Sequence, residues 1–220
     1  MSNTTKEVHI PKRLSPELAE FVGIIMGDGY LYNGKNKFTI GIVGHPINDY
    51  GYFEYVQKLI FRLFNKETKI KKVGRGLRII FDSKEIFIFL AKNFISCYGK
   101  DKCEKIEIPE VILKDWKLAR HTIRGLTDTD GSIFFCNKPG SPHYPSIEIT
   151  TSSKILAEQL REILIKRRFR VANIWSYKSK LGKRTTYKVP LNGVNNLKLW
   201  MNDIGFSNPH KRDKASTGLK

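Results

Sequence analysis

Two stretches of the chain place carboxylates where a helix should be ending. In "FVGIIMGDG", residues 21–29, an apolar run gives way to Asp28 between two glycines, and in "IRGLTDTDG", residues 123–131, a similar run gives way to Asp128 and Asp130. Acidic side chains at the negative, C-terminal end of a helix dipole are unfavourable by roughly 0.3–1 kcal/mol each. The stretches also share a spacing: Gly23 and Gly125, Asp28 and Asp130, and Gly29 and Gly131 each stand 102 residues apart. A single Asp-Gly pair after an apolar helix marks a turn. Two of them, each five residues beyond a glycine and each followed by a hairpin pattern, mark a repeat. If the two helices pack together, Gly23 and Gly125 present no Cβ and let the backbones approach, so that Asp28 and Asp130 meet. Two such carboxylates repel and one takes up a proton, unless a cation lies between them. Carboxylates with helix-end carbonyls make a hard oxygen site suited to Mg2+ or Ca2+.

The charge balance indicates what such a site would act on. Thirty-nine Lys and Arg against 21 Asp and Glu give a net charge of +18 over 220 residues, a field that draws polyanions. A merely soluble or ribosomal-type basic protein would share that charge but has no use for paired carboxylates. A divalent metal in a basic protein points to phosphodiester chemistry, in which the metal activates water, polarises the phosphate and stabilises the leaving 3′ oxygen. The composition, 40% hydrophobic and 11% aromatic, is that of a folded protein rather than a disordered tail. No apolar run approaches the roughly 20 residues of a membrane helix. The opening "MSNTTKEVHIPKR" lacks the apolar core of a signal peptide, so a cytoplasmic, intracellular protein is expected. Cys97, Cys103 and Cys136 form no CxxC pair and no even set, as reduced thiols would. The five scattered histidines have no zinc spacing.

The elements that must hold the carboxylates follow from pattern. Ser15-Pro16 reads as an N-cap with proline at N1, opening a helix that runs to about Met26. "YLYNGKNKFTIGIV" reads as a hairpin, residues 47–64 as a helix, "TKIKKVGRGLRIIF" as strand–turn–strand and "SKEIFIFLAKNF" as a helix. After a charged connector the order recurs: a helix from Asp115 to Asp128, a hairpin, an amphipathic helix, a second strand pair and a last helix. The fold class expected is α+β, two pseudo-symmetric αββαββα repeats. The boundaries expected are 1–98 for the first repeat with a basic N-terminal arm, 99–114 for a linker, 115–208 for the second repeat and 209–220 for a basic tail.

"FVGIIMGDG" and "IRGLTDTDG" resemble the two signature motifs of the LAGLIDADG homing endonucleases, and the chain is similar, from about residue 14 to 205, to their compact single-chain, two-repeat members of the archaeal intron-encoded kind. The resemblance implies a saddle of two antiparallel β-sheets with the motif helices at the interface. It implies a site-specific double-strand DNA endonuclease that straddles the major groove of a long non-palindromic site and cuts across the minor groove, leaving short 3′ overhangs. Asp28 and Asp130 match the metal-binding eighth letter of the motif, and Gly27 and Thr129 match the seventh, whose backbone carbonyl completes the metal shell. The sixth letter, Met26 and Asp128 here, is structural. Lys84 matches a catalytic lysine near a helix start, whereas the second repeat has no lysine at that point. Gly44 or His45, and Thr151, match the polar residues that end the second strands and hold water near the metals. Mg2+ is the implied cofactor, with Mn2+ substituting and Ca2+ binding without supporting cleavage. Double-stranded DNA is the implied partner, the protein a monomer with no obligate protein partner and no membrane. Both repeats are spent on the endonuclease, so a free-standing or intron-encoded protein without a splicing module is expected. An RNA-splicing maturase and a catalytically inactive DNA-binding protein are the rivals on the same scaffold.

DNA contacts are expected from outward-facing strand residues. In the first half these are Lys35, Lys37, Thr39, Lys69, Lys71, Arg75 and Arg78. In the second they are Asn137, Lys138, Glu148, Thr151, Ser176, Lys178, Lys180, Arg184, Thr186 and Lys188. Arg and Lys pair with guanine edges and Glu148 accepts from cytosine, while most such contacts go to phosphate. Arg167, Arg168 and Arg170 fall on the rim, and Trp116, Trp175 and Trp200 read as core.

Overall fold

Ser15 caps the first helix, α1 (Pro16–Met26), its hydroxyl accepting the Leu18 amide at 3.2 Å with Pro16 at the position where a missing N–H costs nothing. Every residue from Leu18 to Met26 is buried, so α1 is packed on all sides rather than along one stripe. The computed structural model describes residues 7–34, 37–99, 102–178 and 184–219, and Lys35 and Lys180 lie outside them. After α1 come the hairpin β1 (Gly29–Gly34) and β2 (Lys37–Gly44), helix α2 (Tyr50–Phe64), the hairpin β3 (Ile70–Val73) and β4 (Gly76–Asp82), and α3 (Lys84–Asn93). Two one-turn helices, α4 (Lys102–Lys105) and α5 (Glu110–Leu113), occupy the connector. The second repeat runs α6 (Trp116–Asp130), β5 (Gly131–Lys138), β6 (Ser141–Thr151), α7 (Lys154–Lys166), β7 (Trp175–Lys178), β8 (Thr185–Asn192) and α8 (Val194–Asp203). A last helix, α9 (Pro209–Thr217), follows.

The repeat expected from element order is present as two four-stranded antiparallel sheets with the same strand order, β1-β2-β4-β3 and β5-β6-β8-β7. Alternation sets the faces. Ile40, Ile42, Leu77 and Ile79 are buried in the first sheet, and Ile147, Ile149, Val189 and Leu191 in the second.

Three boundaries differ from the sequence reading. α2 begins at Tyr50 because residues 45–49 tie up their own backbone: His45 Nδ1 accepts the amides of Ile47 and Asn48 at 3.3 Å, and Asp49 Oδ2 accepts that of His45 at 2.7 Å. α6 continues through Asp130, two residues past the point equivalent to the end of α1. Residues 209–217, expected as a basic tail, are helical: Asn208 Oδ1 accepts the amides of His210 at 3.1 Å and Lys211 at 3.5 Å, and Pro209 sits at N1, the same start signal as Ser15-Pro16.

The motif helices α1 and α6 form the interface between repeats. A Cβ on Gly23 would overlap the Thr122 carbonyl and stand 3.0 Å from the Leu126 amide nitrogen; one on Gly125 would overlap the Glu20 carbonyl and stand 3.0 Å from that of Ile24. Backbone thus lies against backbone, and Thr122 Oγ1 donates across the seam to the Ala19 carbonyl at 2.8 Å. Gly23→Ala and Gly125→Ala are each expected to force the helices apart and destabilise the protein by about 1–3 kcal/mol. Chemical denaturation checks this, and an unchanged midpoint in both variants would contradict the close approach.

Candidate active site

The approach of α1 and α6 brings their C-terminal ends together. A Cβ on Gly27 would overlap the Thr129 side chain and lie 3.4 Å from the Asp130 carboxyl carbon, so the seventh letter of one motif faces the seventh and eighth of the other. Asp28 and Asp130 line one cavity of about 420 Å³, whose wall adds Met26, Gly27, Ile106, Thr150, Thr151, Ser152 and Thr186. Thr151 thus lines the cavity, though its hydroxyl also accepts the Ser153 amide at 3.1 Å. His45 is instead committed to its own loop, and Gly44 packs against Phe53. A groove of about 460 Å³ beside α2 is similar in size, but its acid Glu67 is set among Lys58, Arg62 and Lys66.

Lys84 is set apart from this cavity. It opens α3 next to Asp82, which pairs with Thr39, and its ammonium lies 5.8 Å from the Phe38 ring centroid. The Asp28 carbonyl accepts the amide of Val43, four residues further along β2. At about 3.3 Å per residue the two points are ~13 Å apart along the strand. The helix start chosen from sequence belongs to the far end of the sheet, because β4 runs antiparallel to β2.

The lysine that reaches the motif ends is Lys211, on α9. Its ammonium donates to the carbonyls of Thr127 at 2.8 Å, Asp128 at 2.7 Å, Thr129 at 3.3 Å and Gly131 at 2.7 Å. Those of Asp128 and Thr129 are among the carbonyls at the end of a helix that have no place in its own hydrogen-bond ladder, while that of Thr127 also accepts the Gly131 amide. Burial lowers the Lys211 pKa from its ordinary value, against the opposing pull of Asp128, Asp49, Asp28 and Asp130. The loop before α9 docks as well: the Ser207 amide donates to Asp128 Oδ2 at 2.8 Å and its hydroxyl to Glu20 Oε1 at 2.6 Å. Nothing in the repeat pattern signals this cluster. The only trace in the sequence is the Asn208-Pro209 start.

Asp128 and Glu20 are both buried yet behave oppositely. Burial pushes the Asp128 carboxyl up to about 7, with the Ser207 amide and Lys211 pulling the other way, and its Oδ1 is buried without a hydrogen-bond partner. Burial also raises Glu20, but His121 and Arg124, with Ser207, more than reverse it and bring it to about 2. Arg124 pairs directly with Glu20. Asp128, the structural sixth letter, thus points to α9 and its N-terminal loop.

Strand parity puts most of the expected DNA-facing residues on the outer faces of the sheets. Residues paired across an antiparallel ladder share a face. Thr39 opposite Asp82, and Lys71 opposite Arg78, lie on the face away from the core in the first sheet, with Lys37, Lys69 and Arg75 exposed nearby. In the second, Thr150 opposite Lys188 shares that face with Glu148 and Thr186, continuous with the cavity. Glu148 is paired with Lys188 at 2.7 Å, and Arg184 with Glu104 at 3.0 Å. Asn137 is exposed and accepts the His143 amide at 3.3 Å, and the Lys138 ammonium lies 3.9 Å from the centroid of Tyr144.

Strand β7 departs from the sequence reading. Trp175 pairs with Lys188 and Tyr177 with Thr186, so these aromatics share the outer face, while Ser176 and Lys178 pair with Tyr187 and Thr185 on the other. Trp175, expected in the core, is 58% exposed and stacks on Tyr177, with the Lys188 ammonium 5.4 Å from its centroid. Trp200 is fully buried, and Trp116 is partly buried with its indole N–H on Asp203 at 3.2 Å.

Residues 117–205 match the family model of a LAGLIDADG-like domain. The chain is similar to the homing endonuclease I-DmoI in complex with DNA and Mn, 20% identical with a TM-score of 0.59 over 89% of this chain and 99% of that one. It is also similar to the homing endonuclease I-WcaI bound to its DNA recognition sequence, 15% identical with a TM-score of 0.60 over 96% and 88%. Among curated proteins it is 30% identical over 208 residues to a replication factor C small subunit of Methanocaldococcus jannaschii, covering 93% of this chain and 10% of that protein. It is 24% identical to a glutamine–fructose-6-phosphate aminotransferase of the same organism, covering 98% and 18%. The chain therefore spans about a tenth to a fifth of the length of these curated relatives.

The Asp128 shift has a measurable sign. Its carboxyl moves from the ordinary 3.8 up to about 7, so in that window the folded protein holds a proton that the unfolded chain has released. Stability contributed by this group falls as pH rises through the window. Asp128→Asn, which keeps the acceptor for the Ser207 amide and cannot titrate, is expected to gain on the wild type by about 1.4 kcal/mol per pH unit between roughly pH 4 and 7. Denaturant unfolding across that range checks it; a difference flat with pH would contradict a buried, protonated Asp128.

Proposed function

The second repeat carries a LAGLIDADG-like domain, and the chain as a whole has the fold of the homing endonucleases that share that motif; from this premise we propose that the protein is a site-specific endonuclease that cuts both strands of duplex DNA with a divalent metal. The observation that carries the reading is the cavity shared by Asp28 and Asp130, one from each repeat, between two sheets with basic outer faces. One carboxylate per repeat suits one cut per strand. Unequal outer faces, the aromatic Trp175–Tyr177 pair among them, suit a target without a palindrome. The curated relatives include proteins as different as a replication factor C small subunit and an aminotransferase, and this chain matches a small part of each, so none of them supplies an activity.

The residues present fit a hard divalent cation of the Mg2+ type. No cluster of three or more His, Cys, Asp or Glu able to hold a metal occurs among the described residues, so Asp28 and Asp130, with the Gly27 carbonyl, would be its protein ligands, while the Thr129 carbonyl, matched to the same role, is held by the Lys211 ammonium at 3.3 Å. Mg2+ keeps several waters and takes phosphate oxygens as further ligands, which two carboxylates and a 420 Å³ opening allow. When bound, such an ion lowers the pKa of a ligated water and stabilises the leaving oxygen. The chain's own part is to hold both carboxylates at one place, with Thr150, Thr151, Ser152 and Thr186 as hydroxyl partners for water or phosphate. Lys37, Lys69, Lys71, Arg75, Arg78 and Lys188 hold the duplex across the sheets. Mn2+ is expected to replace Mg2+, and Ca2+, with looser geometry, to support binding alone.

Asp28→Asn and Asp130→Asn are each expected to slow cleavage of both strands by roughly 10²–10³-fold while leaving target binding intact. Selection of the target from a randomised duplex library with Mg2+, followed by gels on the recovered site, is the test. Wild-type cutting by either variant contradicts the metal site. Specific binding without any cutting by the wild type favours the inactive DNA-binding protein, and cutting of no duplex with binding of a structured intron RNA favours the maturase.

A further inference from the structure

Helix α9 lies outside the twofold scheme, yet it places a lysine at the end of one motif helix. The Lys211 ammonium has three hydrogens and faces four carbonyl oxygens within 3.3 Å, those of Thr127, Asp128, Thr129 and Gly131. It therefore acts less as a hydrogen-bond donor to one partner than as a cation caged by the turn that carries Asp130. Its position is held by other contacts than its own. Asn208 is fully buried and donates to Asp49 Oδ1 at 3.0 Å, and Ser207 is fixed on Asp128 and Glu20. Ala215 is buried in the core, and Gly218 packs on the Phe135 ring.

A second observation agrees. The two motif helices are equivalent in sequence but differ in length: α1 ends at Met26, while α6 runs through Asp130. The carbonyls that Lys211 holds, those of Thr127, Asp128, Thr129 and Gly131, flank and include this two-residue extension. The end of a helix carries about half a negative charge, and here Asp128 and Asp130 add to it, so an isolated turn of this composition would fray.

We propose that Lys211 is a positioning residue for Asp130: a tethered cation at the end of α6 that keeps the last turn helical and aims the carboxylate at Asp28 before any metal arrives. The inference rests on Asp28 and Asp130 forming the metal site. It makes the two halves of that site unequal, because the four carbonyls that Lys211 holds all belong to the second motif.

The direction of the effect separates positioning from simple charge. Removing a positive group near a cation site tightens metal binding if charge is all that matters, and weakens it if geometry is lost. Terbium luminescence on the full chain, metal-free and with no DNA, reads this directly. Lys211→Met is expected to weaken Tb3+ binding about 10–100-fold, and Lys211→Arg to recover part of it, with duplex affinity in EDTA changed less than twofold. Equal or tighter Tb3+ binding by Lys211→Met overturns the inference and leaves the metal site standing. No Tb3+ binding by the wild type overturns both. Hydrogen exchange on the metal-free protein tests the same point with a milder variant, should Lys211→Met fail to fold. The amides of Asp130 and Gly131 are expected to exchange at least tenfold faster in Lys211→Gln than in the wild type, and equal rates overturn the inference.

Discussion

Backbone contact between α1 and α6 is the constraint on which the rest depends. Gly23 and Gly125 leave no room between the helices for so much as a methyl group, and Gly27 continues the approach to the helix ends. With larger residues there, the two carboxylates would sit on separate surfaces, each an ordinary turn residue. Close packing of that kind is sharp in its demands, so the interface fixes the separation of Asp28 and Asp130 more tightly than loops could. A site held on two rigid helices also needs little reorganisation when a substrate arrives.

That same approach concentrates negative charge. Two helix C-termini, Asp28, Asp130, the buried Asp128 and Glu20 all fall within one region, and the chain meets each differently. Arg124 neutralises Glu20, a raised pKa lets Asp128 keep its proton, and Lys211 takes the carbonyls of α6. Asp28 and Asp130 are the two that line the open cavity. Arg124, the Asp128 proton and Lys211 thus offset much of the charge gathered around the pair that lines the cavity.

Much of this was legible in the residues. The 102-residue offset located both carboxylates and both interfacial glycines, and alternation located the buried faces of β2, β4, β6 and β8. Two kinds of information were not. All four residues of β7 are exposed, as on an edge strand, so "WSYK" carries no burial pattern and its parity is set only by pairing with β8; hence Trp175 belongs to the outer face and not the core. Lys84 and Lys211 show the other gap. Both are lysines in the first turn of a helix, and only the tertiary path tells that one lies at the far end of a sheet while the other closes on the motif from 80 residues away. The α9 pattern was also weak because its buried surface is small, with Ala215 its one fully buried side chain.

The central claim is that one aspartate from each repeat serves a single metal site. The most direct measurement is anomalous scattering from Mn2+ in crystals of the protein with its selected duplex. The account predicts anomalous density within coordination distance of both Asp28 and Asp130, and its loss beside whichever of the two is changed to Asn. Density bound by neither aspartate, or by one of them with the other turned away from the cavity, would contradict it.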